Sequence, residues 1–201
     1  MFISDLHWGH KNILNFRPKF NTIEEHDAFT LDSLLTDCNK RDTLYLLGDT
    51  VFDEYAVDYV KKLCKHIGYV HYILGNHDSD NTKRIGYVKE IAKVATSIQG
   101  VGSKRGYWYQ HTPMAEWELR GKHCIHGHVH GGTRSDKRYV NVSCENTRYR
   151  PVKLEDIVNG WRTWEDCHNP SDKPLVFDKD NIRHTHSFLN DKILSVIAKG
   201  N

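Results

Sequence analysis

The sequence predicts an α/β fold arranged as a four-layer α/β/β/α sandwich, with two mixed sheets packed face to face and helices outside. Two patterns carry that expectation. Near the N-terminus, three apolar runs each stop at a glycine or a polar residue, and two of them are followed by stretches of helical spacing. Further along, shorter apolar runs alternate with glycine-containing turns, the rhythm of a second sheet.

Taken in order, Phe2-Ile3 reads as a short buried strand that ends at Ser4-Asp5. From Thr22 the spacing becomes helical: Ile23, Phe29, Leu31, Leu34 and Leu35 recur on one side, and Thr22 with Glu25 makes a capping box. Residues 43–47 form a second strand halted by Gly48-Asp49, and residues 55–66 a helix with Val57, Val60, Leu63 and Cys64 inward. A third strand, 69–74, stops at Gly75-Asn76, completing β-α-β-α-β. Strands over 96–98, 104–110, 122–125 and 139–143 are assigned to the second sheet. Residues 154–161 suit a short helix, 169–174 a loop, and 187–198 an amphipathic helix. A chain of 201 residues suffices for one sizeable core, so residues 1–201 are expected to form a single domain. Residues 163–201 are its C-terminal extension, serving as a lid, a partner-binding arm or core cover.

Composition narrows the function classes. A net charge of +2, from 28 basic and 26 acidic residues, supplies no global basic field, so nucleic acid is allowed but not demanded. The cysteines (Cys38, Cys64, Cys124, Cys144, Cys167) are odd in number and scattered, without zinc-knuckle or disulfide spacing, which fits a reducing, cytoplasmic setting. No stretch approaches the ~20 apolar residues that span a bilayer, and no signal peptide is legible, so no membrane partner is expected. The 14 histidines are dispersed, which excludes a tag and points to metal or acid-base chemistry.

In open α/β sheets ligands gather beyond the carboxyl ends of strands, and there the chain places metal-ligand residue types. The first strand delivers Asp5-Leu6-His7, the second Gly48-Asp49, and the third Gly75-Asn76-His77-Asp78. Later strands deliver His111, before Thr112-Pro113, and Gly127-His128-Val129-His130. Each piece alone is weak, and their order and shared position are the signal. This ordered set resembles the calcineurin-like metallophosphoesterase superfamily, whose pattern is Asp-x-His, Gly-Asp, Gly-Asn-His-Asp or -Glu, a later His, and Gly-His-x-His. The resemblance runs through residues 2–143. The runs Trp8 to Ile13, Asn141-Val142-Ser143 and Arg150-Pro151-Val152 look like a small prokaryotic or phage branch.

By that similarity Asp5, His7, Asp49 and His130 would hold one divalent cation, and Asp49, Asn76, His111 and His128 the other, with Asp49 bridging. A shared anionic oxygen is what two dications about 3.5–4 Å apart require. The resemblance implies attack of a metal-bridging hydroxide on phosphorus, with His77 as the general acid protonating the leaving alkoxide. A hydrogen-bond donor that orients a ligand is the other role for His77, and Asp53 or Asp78 is its orienting partner. Mixed N/O donors without thiolate favour Mn first, then Fe, Zn or Ni.

A phosphodiester or monoester is the expected substrate, a small nucleotide-like phosphodiester favoured, with His10 and Arg84 as substrate contacts. Lys83, Arg134 and Arg148 lie near motifs too but read as surface charge, while His26, His66, His71 and His123 read as structural. Tyr107-Trp108-Tyr109 and Trp117 either stack a base or pack the core. A nuclease on DNA or RNA is the rival within enzymology, and a non-catalytic protein-binding scaffold the rival outside it. Gly48-Asp49-Thr50-Val51-Phe52 lacks the Asp-Arg-Gly of protein-phosphatase members, which weighs against a phosphoprotein substrate. Oligomeric state leaves no mark on the sequence.

Overall fold

The first sheet is built where apolar runs alternate with helices. In the computed structural model, which describes residues 1–132 and 134–162, β1 (Phe2–Ile3), β2 (Thr43–Leu47), β3 (Tyr69–Ile73) and β4 (Ser97–Gln99) lie in that order. Their ladders are all parallel, so each strand must be reached by a crossover, supplied by α1 (Ile23–Asp37), α2 (Tyr55–His66) and α3 (Thr82–Ala92). In β2, Leu44 and Leu46 face one side and Tyr45 and Leu47 the other, and all four are buried, as a sheet covered on both faces requires.

The second sheet contains β5 (Val101–Lys104), β6 (Tyr107–Gln110), β7 (His123–His126) and β8 (Tyr139–Asn141). Here β5 and β6 are antiparallel, whereas β6, β7 and β8 run parallel. Two short helices follow, α4 (Cys144–Thr147) and α5 (Leu154–Val158). The inter-sheet core joins Tyr45, Leu47 and Ile73 to Tyr109, Ile125 and Val140. Trp108, on the outward face of β6, packs instead against Met114, Leu119, Cys124 and Tyr139 and donates its indole N–H to the Leu119 carbonyl at 3.0 Å. The Tyr107-Trp108-Tyr109 cluster is therefore packing on both faces, and only Trp117 stands out in solvent.

The α/β class and the presence of two sheets agree with the sequence, and three details differ. Residues 97–99 belong to the first sheet rather than the second, and α3, which the sequence reading omitted, follows from that placement because a parallel β3–β4 pair needs a crossover. Its apolar signal is thin, since only Tyr87 and Ile91 are buried. Residues 104–110 are not one strand but the closing half of a hairpin, turned at Arg105-Gly106 with φ of +48° and +80°. At the start of α1, Thr22 Oγ1 accepts from the Glu25 N–H at 3.1 Å as a capping box requires, but Glu25 reaches back to the Asn21 N–H rather than to Thr22. The extension from residue 163, with its expected loop and helix, lies outside the described residues. No helix among the described residues is long and apolar enough to cross a membrane.

Beyond β1 the chain is stitched to both sheets. The Asp5 N–H donates to the Gly48 carbonyl at 3.2 Å, while Ser4 exchanges backbone hydrogen bonds with Val142 and Cys144 beyond β8. The carboxyl ends of β1, β2, β3, β6 and β7 thus open onto one edge.

Candidate metal centre

At that edge the sequence-predicted ligands converge into two groups. Asp5, His7 and His130 bring one ligand atom each to within 4.8 Å of one another, and Asp49, His111 and His128 do the same. Asn76 joins the second group, with its Oδ1 3.0 Å from His111 Nε2. Glycines let the backbones come this close: a Cβ on Gly75 would run into Asp49 Oδ1, and one on Gly127 into Ser4 Oγ and Asp5 Oδ2.

In the first group, Asp5 is fully buried. Its Oδ2 accepts from Ser143 Oγ at 2.8 Å and from the His128 N–H at 2.9 Å. Its Oδ1 has no hydrogen-bond partner and faces His7 Nε2, equally buried and unpartnered, at 3.8 Å. Buried polar atoms are almost always satisfied, so two electron-pair donors left facing each other fit a cation. Burial alone would raise the Asp5 pKa, yet His7 and the charges of His111 and His130 hold it well below the usual carboxylate range. Burial pushes His7 down to about 4 against the pull of Asp5, leaving it neutral with a lone pair to give. His130 Nδ1 lies 3.0 Å from Glu145 Oε1, and Glu145, despite a burial that opposes it, is held down to about 2 by His130 and Arg17.

In the second group, the His111 Nδ1–H donates to the Leu47 carbonyl at 2.8 Å, which turns Nε2 toward Asp49 Oδ2 at 3.2 Å. Burial works against a charge on His111, but the Asp49 contact and the Asp5 and Asp49 charges push its pKa up to about 9. The field at that nitrogen therefore favours positive charge, whether a proton or a metal ion. Asp49 Oδ1 accepts from the His77 N–H at 3.0 Å. Asp78 accepts from the Gly75 N–H at 2.6 Å, the Asp49 N–H at 3.1 Å and the Tyr72 hydroxyl at 2.7 Å, so it braces the turn.

The His77 side chain stands at the rim, 45% exposed, with its Nδ1 3.1 Å from Asp80 Oδ2. Its orienting partner is thus Asp80, a correction to the expected Asp53 or Asp78. Asp78 is buried beneath the turn, and Asp53 Oδ1 caps the Glu54 N–H. His10 places its Nδ1 2.9 Å from His7 Nδ1, and both rings stack on Phe52, with centroids 4.3 and 4.5 Å away. The Arg84 guanidinium lies 3.8 Å from the Phe52 centroid and 3.5 Å from the His77 carbonyl. Both expected substrate contacts therefore border the rim, and His10 also steadies a ligand ring.

Five residues of this site escaped the sequence reading: Arg17, Phe52, Asp80, Ser143 and Glu145. Only Ser143 carried a signal, as part of Asn141-Val142-Ser143 in the family resemblance, and no period or spacing marks the rest. The histidines read as structural are so placed: His66 contacts the Cys38 carbonyl at 2.9 Å, His71 contacts Ser97 Oγ at 2.8 Å, and His123 stacks on Tyr107.

Comparison with known proteins agrees with this geometry. The family described as Calcineurin-like phosphoesterase matches residues 1–198. The Gene 66 protein of Mycobacterium phage L5 is 30% identical over 160 residues, covering 64% of this chain and 76% of its own. The uncharacterised protein MJ1445 of Methanocaldococcus jannaschii is 28% identical over 168 residues, 78% of this chain and 87% of its own. Among solved structures, the protein of unknown function AQ665 from Aquifex aeolicus superposes with a TM-score of 0.60 at 26% identity, covering 79% of this chain and 96% of that one.

Proposed function

The chain belongs to the calcineurin-like phosphoesterase family of metal-dependent phosphoesterases, and on that premise we propose that it hydrolyses a small, nucleotide-like phosphodiester with two divalent cations. The observation that carries this reading is the pair of adjoining ligand groups, one of them containing the buried, unpartnered Asp5 Oδ1 and His7 Nε2. Asp5, His7, Asp49 and His130 would hold one cation, and Asp49, Asn76, His111 and His128 the other, with Asp49 contributing to both. Manganese leads among the metals, since the donors are imidazole, carboxylate and amide without thiolate. When bound, the cations supply Lewis acidity: they lower the pKa of water and neutralise charge on the phosphoryl oxygens.

The protein's own groups do the rest. His77 donates Nδ1–H to Asp80 and would give the proton on Nε2 to the leaving oxygen, which departs as the alcohol. Its backbone N–H fixes Asp49 Oδ1, so the acid and the shared carboxylate are held in register. Arg84, stacked on Phe52 at the rim, offers a guanidinium fork to a phosphate oxygen, and His10 lines the same side.

The test is a screen of metal-reconstituted protein against bis-aryl phosphate, aryl phosphate, cyclic nucleotides and single-stranded nucleic acid. Metal-dependent turnover of bis-aryl phosphate and a cyclic nucleotide is expected. Turnover confined to nucleic acid and falling steeply with salt would establish a nuclease instead. A chain that binds no Mn, Fe, Zn or Ni would leave only the scaffold reading.

A further inference from the structure

Among the described residues Arg17 is the largest charged side chain in the interior, 1% exposed, and each of its three nitrogens is engaged. Nε donates to Glu145 Oε1 at 2.9 Å, and Nη2 meets the same oxygen at 2.8 Å. Nη2 also donates to the Asp5 carbonyl at 2.6 Å, and Nη1 to the Leu6 carbonyl at 3.2 Å and His26 Nε2 at 2.7 Å. His26 can accept only because its Nδ1–H is given to Asp27 Oδ1 at 2.6 Å. Asp27 Oδ2 in turn accepts from the Gly9 N–H and the Tyr55 hydroxyl, both at 2.7 Å.

This chain of contacts grips the Asp5–His7 turn at both ends, through the carbonyls of Asp5 and Leu6 and the amide of Gly9. The turn needs gripping. Asp5 and His7 have φ of +60° and +55°, a left-handed conformation that strains a non-glycine residue. Glu145, pinned by Arg17, also holds His130 Nδ1 and so aims the third member of the same group. By contrast, Arg17 itself makes no hydrogen bond or ion pair to Asp49, Asn76, His111 or His128, and the turn it grips meets that group through main-chain groups, the His7 N–H donating to the Asp49 carbonyl at 3.0 Å and the His128 N–H to Asp5 Oδ2 at 2.9 Å.

We propose that Arg17 is a positioning residue that selectively sets the affinity of the Asp5/His7/His130 cation, through Glu145 and the Asp5–Leu6 carbonyls, and leaves the other cation's affinity alone. The inference rests on the dimetal reading above. Arg17→Lys keeps the charge but loses the fork, and Glu145→Gln keeps the shape but weakens the hold on both Arg17 and His130.

The experiment is calorimetric titration of chelator-treated full-length protein with Mn2+, paired with electron paramagnetic resonance and with the melting temperature of the metal-free form. Wild type is expected to take two equivalents and show a spin-coupled pair. In both variants one equivalent should weaken at least tenfold, about 1.4 kcal/mol, and the spectrum should become mononuclear at equal loading. The other equivalent should keep its wild-type affinity. Two wild-type affinities in a folded Arg17→Lys protein would overturn the proposal. So would both equivalents weakening in parallel with a lower metal-free melting temperature, the mark of general loosening. If Arg17→Lys does not fold, Glu145→Gln decides by the same criteria. A wild type that takes one equivalent sinks the dimetal reading itself, and Arg17 then keeps its role only if that equivalent weakens in the variants at unchanged melting temperature.

Discussion

The two ligand groups sit side by side at one edge of the sandwich, yet they are held by different means. The Asp49/Asn76/His111/His128 group is set by the backbone near its own motifs: the Leu47 carbonyl orients His111, the His77 amide orients Asp49, and Asp78 ties the Gly75 turn to the Asp49 turn. The Asp5/His7/His130 group depends on side chains from remote segments, namely Arg17, Phe52, Ser143 and Glu145. A ligand motif therefore locates a donor without revealing what aims it. The group with distant supports is also the one a substitution can disable separately.

Changes that strike both groups should be largest. Asp49→Asn removes the shared carboxylate, so turnover should fall by at least about 10³-fold with both cations loosened, as steady-state kinetics and metal analysis would show. Near-normal turnover would mean that the groups are independent sites. His77→Ala should keep both metals yet slow esters with poor leaving groups by about 10²–10⁴-fold, and activated aryl esters much less. Equal slowing of the two would remove His77 as the acid. Asp80→Asn should follow the same leaving-group pattern at roughly tenfold, on the scale of lost outer-sphere support.

Acidity separates the groups as well. His111 has its pKa raised from 6.5 to about 9, so in chelated protein its pairing with Asp49 stabilises the fold fully below pH 6.5, and that contribution is lost as pH rises through 9. Metal at this group must displace that proton, so its affinity should rise across the same window. In the other group His7 is already neutral above about pH 4, and His130 is raised by its contact with Glu145 but less far than His111, so the dependence there should level off at lower pH. Mn2+ titrations at several pH values measure both slopes, and identical slopes would contradict the distinction. The smallest effect is expected from Phe52→Leu: about a three- to tenfold loss at the His7 cation, the value of a lost aromatic pair, and none at the other, read by the same titration.

How much of this was legible beforehand follows the same divide. The strand-end donors were readable because apolar runs stop at Asp5, Asp49, Asn76 and His128, and strand ends are where an open sheet binds. The helix over residues 55–66 was readable from its apolar period, whereas α3 buries too little to announce itself. Arg17 was not readable, because nothing local distinguishes a guanidinium that will fill the interior from one on the surface. Asp80 was passed over for Asp53 and Asp78, since one turn of chain after His77 decides which carboxylate comes alongside, and that is a matter of torsion rather than composition.

The contact between Arg17 and Glu145 closes a loop of 128 residues, and that between Asp5 and Ser143 one of 138. Contacts so far apart form late, because the entropy of closing the loop must be met before they return anything. During synthesis, a ribosome that has released β1 through β3 has exposed Asp5, His7, Asp49 and Asn76 but none of the supports beyond β8. On the dimetal reading, the Asp5/His7/His130 group would lack its support until Glu145 has left the exit tunnel, so its cation would seat only after translation has passed the second sheet.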